Sequence, residues 1–150
     1  DLPTEAQWEY AARSAGKPLR HATDNGTLEP GRNISEANDP ALARYGNDLD
    51  IPEPPGRYPQ PLGLYDMSGN VAEWVNDYYA PDYYQKSEKV NPTGPETGKA
   101  VPVTPKQKEP ERVMRGADYE GPIINSSTVS RRVVPESAVP LNSGFRCVRN

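Results

Sequence analysis

Apolar positions along this chain fall into only a few periodic runs. Near the start, Trp8, Ala11 and Ala12 stand at i, i+3 and i+4, which places them on one stripe of a helix. Thr4-Glu5-Ala6-Gln7, just before the stripe, has the capping-box pattern, in which the Thr4 hydroxyl accepts from the third helical amide and Gln7 reaches back to the cap. A helix of about ten residues is predicted here, ended by Gly16-Lys17-Pro18. Three short stretches, 71–76, 112–115 and 144–149, read as strands. From Asp24-Asn25-Gly26 onward the periodicity breaks into Gly, Asn, Asp and Pro. Pro52, Pro54, Pro55, Pro59 and Pro61 exclude helix there, leaving an ordered loop or a linker. A Tyr-rich stretch, Tyr78, Tyr79, Tyr83 and Tyr84, follows the first strand. The polar run 85–110 behind it is predicted to be a mobile surface excursion.

Composition sharpens this picture. With 150 residues, 12 Gly, 18 Pro, 34% hydrophobic positions and a mean hydropathy of -0.87, the chain suits one loop-rich domain. The nine Tyr and two Trp supply large faces with polar ends, which argues for a globular domain rather than disorder. No run approaches the roughly 18 apolar residues of a membrane span. Seventeen Lys plus Arg against 21 Asp plus Glu give a net charge of -4, so no basic footprint for nucleic acid or an anionic membrane is present. One His and one Cys cannot build a zinc or iron centre of several imidazoles or thiolates from this chain alone. The single Cys147 leaves no internal disulfide, pointing either to a reducing compartment or to a partner cysteine elsewhere.

Four phrases in fixed order are the most specific signals. They are Leu2-Pro3-Thr4-Glu5-Ala6-Gln7-Trp8-Glu9-Tyr10-Ala11-Ala12-Arg13, Gly63-Leu64-Tyr65-Asp66-Met67-Ser68-Gly69-Asn70-Val71-Ala72-Glu73-Trp74, Arg112-Val113-Met114-Arg115-Gly116 and Gly144-Phe145-Arg146-Cys147. On these the whole chain resembles the formylglycine-generating enzyme family, the sulfatase-modifying factors, whose relatives include a pyoverdine-maturation protein and ergothioneine-type sulfoxide synthases. The resemblance implies an α+β, irregular, loop-rich C-type-lectin-like fold. It also implies that residues 1–150 form the C-terminal part of a single domain, with the upstream half of that domain as their partner.

Chemistry has to be argued from sites, because a fold hosts many functions. Catalytic members carry two copper-binding cysteines after the Arg-Gly-Gly-Ser-like phrase. Aligned without gaps from Gly116, these fall on Gly121 and Ser126, and the serine of the phrase becomes Asp118. Glycine and serine supply no thiolate for copper, so formylglycine generation is not expected and no catalytic residue is assigned. Ala72 also replaces the tryptophan usual before Glu73-Trp74, altering part of the family's peptide groove.

The segment Asp66 to Glu73 keeps chemistry. Two carboxylates seven residues apart, with Gly69 between them to allow a sharp turn, can wrap a hard cation, and Ca2+ fits best. The plainer reading has Asp66 capping a turn and Glu73 on a solvated strand face. The resemblance implies calcium ligation by Asp66, Gly69, Val71 and Glu73. It implies a second site at Asn33 and Ile34, completed by Asp48 or Asp50.

Other residues read as structural. His21 beside Arg20 has no adjacent nucleophile in the sequence and reads as a surface residue. Asp118 and Glu120 alternate on what would be a strand and share its face, either as an acid-base pair or as ordinary surface acids. The Tyr78–Tyr84 cluster suits core or loop packing, or stacking on a sugar or peptide. Asn25-Gly26-Thr27, Asn33-Ile34-Ser35 and Asn125-Ser126-Ser127 fit the short glycosylation pattern. Arg131, Arg132, Arg146 and Arg149 are expected to pair with acids.

Two functions from different classes follow. One is a calcium-stabilised binding or structural module that recognises a protein or peptide. The other is an oxidative tailoring enzyme of the pyoverdine-maturation or sulfoxide-synthase kind, with its catalytic groups in the upstream half. The family's usual compartment and the calcium reading imply a periplasmic or secreted location. The resemblance pairs Cys147 with a cysteine upstream of Leu2; without that partner it would be a thiol buried beside Phe145.

Overall fold

The computed structural model describes residues 1–29, 61–105, 107–119, 121 and 123–149. Helix α1 spans Glu5–Ala12, with the full capping box at its start: Gln7 N donates to Thr4 Oγ1 at 3.2 Å and Thr4 N donates to Gln7 Oε1 at 2.8 Å. The helix is shorter than expected, because Ser14, Ala15 and Gly16 all turn left-handed and Gly16 N returns to Tyr10 O. Its buried face carries Trp8 and Ala12, as the stripe requires, and also Glu5.

Strand β1 (Ala72–Tyr78) is followed by the single turn α2 (Tyr83–Lys86), then by β2 (Ala100–Thr104), β3 (Gln107–Arg115), β4 (Arg132–Pro135) and β5 (Ser143–Phe145). The sheet runs β2-β3-β1-β5, with β4 also on β3. Strand β3 organises it. Arg115 pairs with Glu73 of β1, Met114 with both Trp74 and Arg132, and Val113 with Val133 of β4. Strand β5 runs parallel to β1, setting Gly144 against Glu73. Helix α1 packs on this sheet through Trp8 and Ala12, which join Ala22, Met67, Val75 and Val113 in a single buried cluster.

The stretch 85–110 is more ordered than its composition suggested. It holds α2's last turn, β2 and the start of β3, with Val101 opposite Glu109 and Pro102 opposite Lys108 in an antiparallel hairpin. Proline is tolerated there because β2 lies at the sheet edge, where a missing N–H breaks no ladder. Its root is pinned, since Lys99 N donates to Tyr79 O and Tyr79 N to Glu111 O. Asp118 lies beyond the end of β3, so the expected strand through it does not form; Glu120 falls outside the described residues.

Candidate functional site

The turn from Asp66 to Asn70 is built by left-handed backbone. Asp66, Gly69 and Asn70 have φ of 53°, 92° and 62°, a conformation natural for Gly and tolerated by Asp and Asn. The turn is stitched to the end of β3: Gly69 N donates to Gly116 O at 2.6 Å, and Tyr119 N to Asn70 O at 3.0 Å. Gly116 is required there. Its φ is 92°, and a Cβ would stand 3.3 Å from both Met67 O and the Trp8 ring. Two phrases distant in sequence thus become one surface.

Glu73 emerges from this turn on β1 and is buried rather than solvated. Its Oε2 accepts from Trp8 Nε1 at 2.7 Å and Arg146 Nε at 2.6 Å, and its Oε1 accepts from Arg146 Nη2. Arg146 also donates to Tyr65 O at 3.0 Å. Asp66, Asn70, Val71 and Glu73 line one cavity of about 520 Å³ with Arg146. The donor set therefore fits a hard cation in kind: two carboxylates and the oxygens of a tight turn, with acceptor capacity left on Glu73 Oε1. Among the described residues no three His, Cys, Asp or Glu side chains converge, so backbone carbonyls would have to complete the shell. The Arg146 guanidinium already neutralises Glu73, and any metal would bind beside a positive charge. Asn33, Ile34, Asp48 and Asp50 lie outside the described residues.

A second cavity, of about 450 Å³, opens where β3 ends, between Ala117, Asp118, Gly121, Asn125, Ser130 and Arg132. Arg132 Nη1 donates to Asp118 Oδ2 at 2.8 Å. Gly121 sits beneath this carboxylate, and a Cβ there would lie 3.2 Å from Asp118 Oδ1. A side chain at 121 would therefore require the Asp118 carboxylate to give by a few tenths of an ångström. Ser126 is 1% exposed, and its hydroxyl is spent inside the fold, 3.3 Å from His21 Nδ1. Burial, with Arg20 adding repulsion, holds the His21 imidazole below its ordinary range, opposed by a backbone hydrogen bond to Ser126. His21 is thus half-buried with a hydroxyl beside it, which the sequence did not reveal, yet that hydroxyl has no access to a substrate.

Comparison with known proteins bears on both cavities. The model of the sulfatase-modifying factor enzyme 1-like domain matches residues 1–150. The chain belongs to this family. The formylglycine-generating enzyme of Streptomyces coelicolor is 36% identical over 158 residues, covering 99% of this chain and 46% of that protein. The serine/threonine-protein kinase pkn1 of Chlamydia pneumoniae is 32% identical over 151 residues, covering 99% of this chain but 21% of that protein. Among solved structures, Treponema denticola variable protein 1 superposes with a TM-score of 0.65 at 26% identity, over 97% of this chain and 45% of that one. The chain thus spans about half the length, or less, of these relatives. The α+β, loop-rich C-type-lectin-like fold of the family is the fold observed.

The two positions onto which the ungapped alignment from Gly116 would bring the copper thiolates are a glycine at 121 and a buried hydroxyl at Ser126. Cys147, the one thiol of the sequence, is exposed, and Phe145 is 69% exposed; neither is buried as expected, because β5 ends at Phe145 and the chain leaves the sheet there. Reasoning from sequence also missed Glu5. Its carboxylate joins Arg115 Nη1 at 2.8 Å and Arg131 Nη2 at 2.7 Å beneath α1, pairings 110 and 126 residues apart along the chain. Only its place inside the capping-box phrase, between Thr4 and Gln7, was legible at that position.

Proposed function

We propose that this chain is the C-terminal part of a formylglycine-generating-enzyme-like domain that recognises a protein or peptide partner and does not oxidise cysteine. The carrying observation is the Asp118–Arg132 ion pair lying over Gly121. With glycine and serine where thiolates are expected, a carboxylate paired to Arg132 lies close against position 121, which suits the cavity to polar contacts. Incubating the full-length protein with copper and a cysteine peptide of the sulfatase type should leave the peptide mass unchanged; conversion to the aldehyde would overturn this reading.

The partner reading draws on Val139, Leu141 and Phe145, apolar side chains that stand 86%, 98% and 69% exposed in the C-terminal segment. The upstream half of the domain or a bound protein would remove them from water. Among the described residues no helix is long and apolar enough to cross a membrane. Calcium at Asp66, Gly69, Val71 and Glu73 belongs to the same proposal: Asp66, Val71 and Glu73 line one cavity, and Gly69, which does not line it, closes the loop through its bond to Gly116. An extracytoplasmic location goes with it, where the exposed Cys147 can pair with a cysteine outside this chain.

A further inference from the structure

A groove of about 1060 Å³ lies between α1 and the loop through Asn91, Pro92 and Thr93. Both of its walls are held by one side chain of β1. Asp77 Oδ2 accepts from Glu5 N at 2.7 Å, which fixes the start of α1. The same carboxylate lies against Gly94, where a Cβ would stand 2.8 Å from Oδ1 and the φ of 84° itself calls for glycine. Gly94 N donates to Tyr83 Oη at 3.0 Å and pins the end of the loop. The groove is thus formed before a ligand arrives, which lowers the cost of binding one.

Among the described residues its lining is uncharged apart from Asp1. The helix makes it so, because Glu5 and Glu9 turn to Arg115 and leave Ala6, Gln7 and Tyr10 to the groove. Tyr10 is 58% exposed, and Gly16 braces its ring, since a Cβ at 16 would stand 3.4 Å from Cε2. Asn76, Asn91 and Thr93 are exposed groups of the same lining, each able to donate and to accept.

We infer that this groove binds a neutral oligosaccharide, with one sugar ring stacked on Tyr10 and its hydroxyls bonded by Asn76, Asn91 and Thr93. A sugar has an apolar C–H face and a rim of hydroxyls that donate and accept, which matches an exposed aromatic ring beside neutral amides. An anion would lose water without meeting a cation here, and a cation would meet only the exposed Asp1. An added peptide strand needs an open backbone edge, whereas the β1 amide at Asn76 is already bonded to Pro3 O at 2.8 Å. A volume of about 1060 Å³ is at the upper end of small-ligand sites and suits an oligomer better than a single sugar.

Isothermal titration of the full-length protein with maltotriose, cellotriose, mannotriose and N-acetylchitotriose tests it. At least one should bind with a dissociation constant of about 1 mM or tighter. Tyr10→Ala, at an exposed position, should melt as the wild type does and weaken that sugar by about tenfold, while Tyr10→Phe, which keeps the ring, should stay within about twofold. Asn91→Gly removes the amide yet suits a backbone whose φ is 49°, and should weaken binding by about fivefold, the cost of one neutral hydrogen bond. Absence of heat with every trisaccharide at about 10 mM would overturn the inference. So would wild-type affinity in Tyr10→Ala, tighter binding of trigalacturonate than of any neutral sugar, or binding of a neutral Gly-Ser-Asn peptide where the sugars fail. The groove shares no lining residue with the Gly121 cavity, so these outcomes leave the non-oxidative reading to the mass assay.

Discussion

Arg131 and Arg132 are adjacent in the chain and belong to opposite worlds. Arg131 turns under α1 into a buried network with Glu5, Arg115 and Glu9, in which the Arg115 side chain has no exposure and that of Glu5 has 3%. Arg132 turns the other way, to Asp118 at the rim of a cavity. The alternation of side chains across the sheet at the start of β4 makes this division. The difference teaches which charges hold the fold and which are available for use. A buried pair broken on one side leaves an uncompensated charge away from water, whereas a half-exposed pair exchanges partners at small cost. Arg146–Glu73 stands between them, at 24% and 8% exposure.

The largest expected effect is at the buried end. Arg115→Ala takes one cation from Glu5 and from Glu9, leaving Glu5 to Arg131 and Glu9 to Arg13, frees Thr128 O and leaves a void against Trp8. Loss of one partner of a buried pair should cost about 3–5 kcal/mol, a large share of a small domain's stability. Urea unfolding monitored by Trp fluorescence measures it. A loss below about 1 kcal/mol would place this network with the surface pairs and erase the contrast.

Asp77 sharpens the comparison through pH. It lies on β1 beside the same network, accepts from Glu5 N at 2.7 Å and is 3% exposed. Burial pushes its carboxyl up from 3.8 to about 6; the Glu5 N–H, Arg131 and Arg115 oppose that rise and the Glu5 charge adds to it. Because the folded state holds the proton more tightly than the unfolded one, this group's stabilisation is complete below about pH 4 and is lost as pH rises to about 6. Asp77→Asn keeps an acceptor for Glu5 N without the charge. Relative to that variant, the wild type should lose on the order of 2 kcal/mol between those pH values. Parallel stability-pH curves for the two proteins would refute the linkage.

These positions also show what a sequence can and cannot disclose. The capping box at Thr4 and the strand cores at Val75 and Val113 are local patterns, and the helix and strands formed where the patterns lie. The Asp66 to Glu73 segment was legible as an oxygen-rich turn, since Gly69 and Asn70 announce left-handed backbone. Glu5 was opaque because burial of an acid depends on Arg115 and Arg131, far along the chain. Arg146 was expected to pair with an acid, but its grip on the very glutamate proposed to hold calcium depends on β5 lying parallel beside β1, a pairing that no local motif encodes. Ordered structure in 85–110 escaped notice for a related reason: a proline-bearing edge strand has the composition of a loop.

The intermediate pair gives the calcium prediction. At about tenfold excess over its dissociation constant, an ion bound only by the folded state stabilises by about 1.4 kcal/mol. Thermal melts should therefore rise with calcium and fall with chelator, and Asp66→Ala should remove the difference. Arg146→Gln takes away the guanidinium competing for Glu73, so it should lower basal stability yet enlarge the calcium-dependent rise. Equal melts with calcium and chelator in the wild type would remove the metal from this turn. A smaller rise in Arg146→Gln would show that the guanidinium organises the site instead of competing for it.

The smallest expected effect is at the rim, where it is the most diagnostic. Arg132→Gln removes an ion pair whose guanidinium is 44% exposed, and the Asp118 carboxylate it leaves behind, 12% exposed, lines an open cavity. Exposed pairs contribute about 0–1 kcal/mol, so the melting temperature should move by no more than a few degrees. Strand β4 should persist, because Met114 and Arg132 pair through backbone and the side chain plays no part in the ladder. If Arg132→Gln instead destabilised the protein as much as Arg115→Ala, the Asp118 pair would be part of the scaffold, and the distinction between the two neighbouring arginines would collapse.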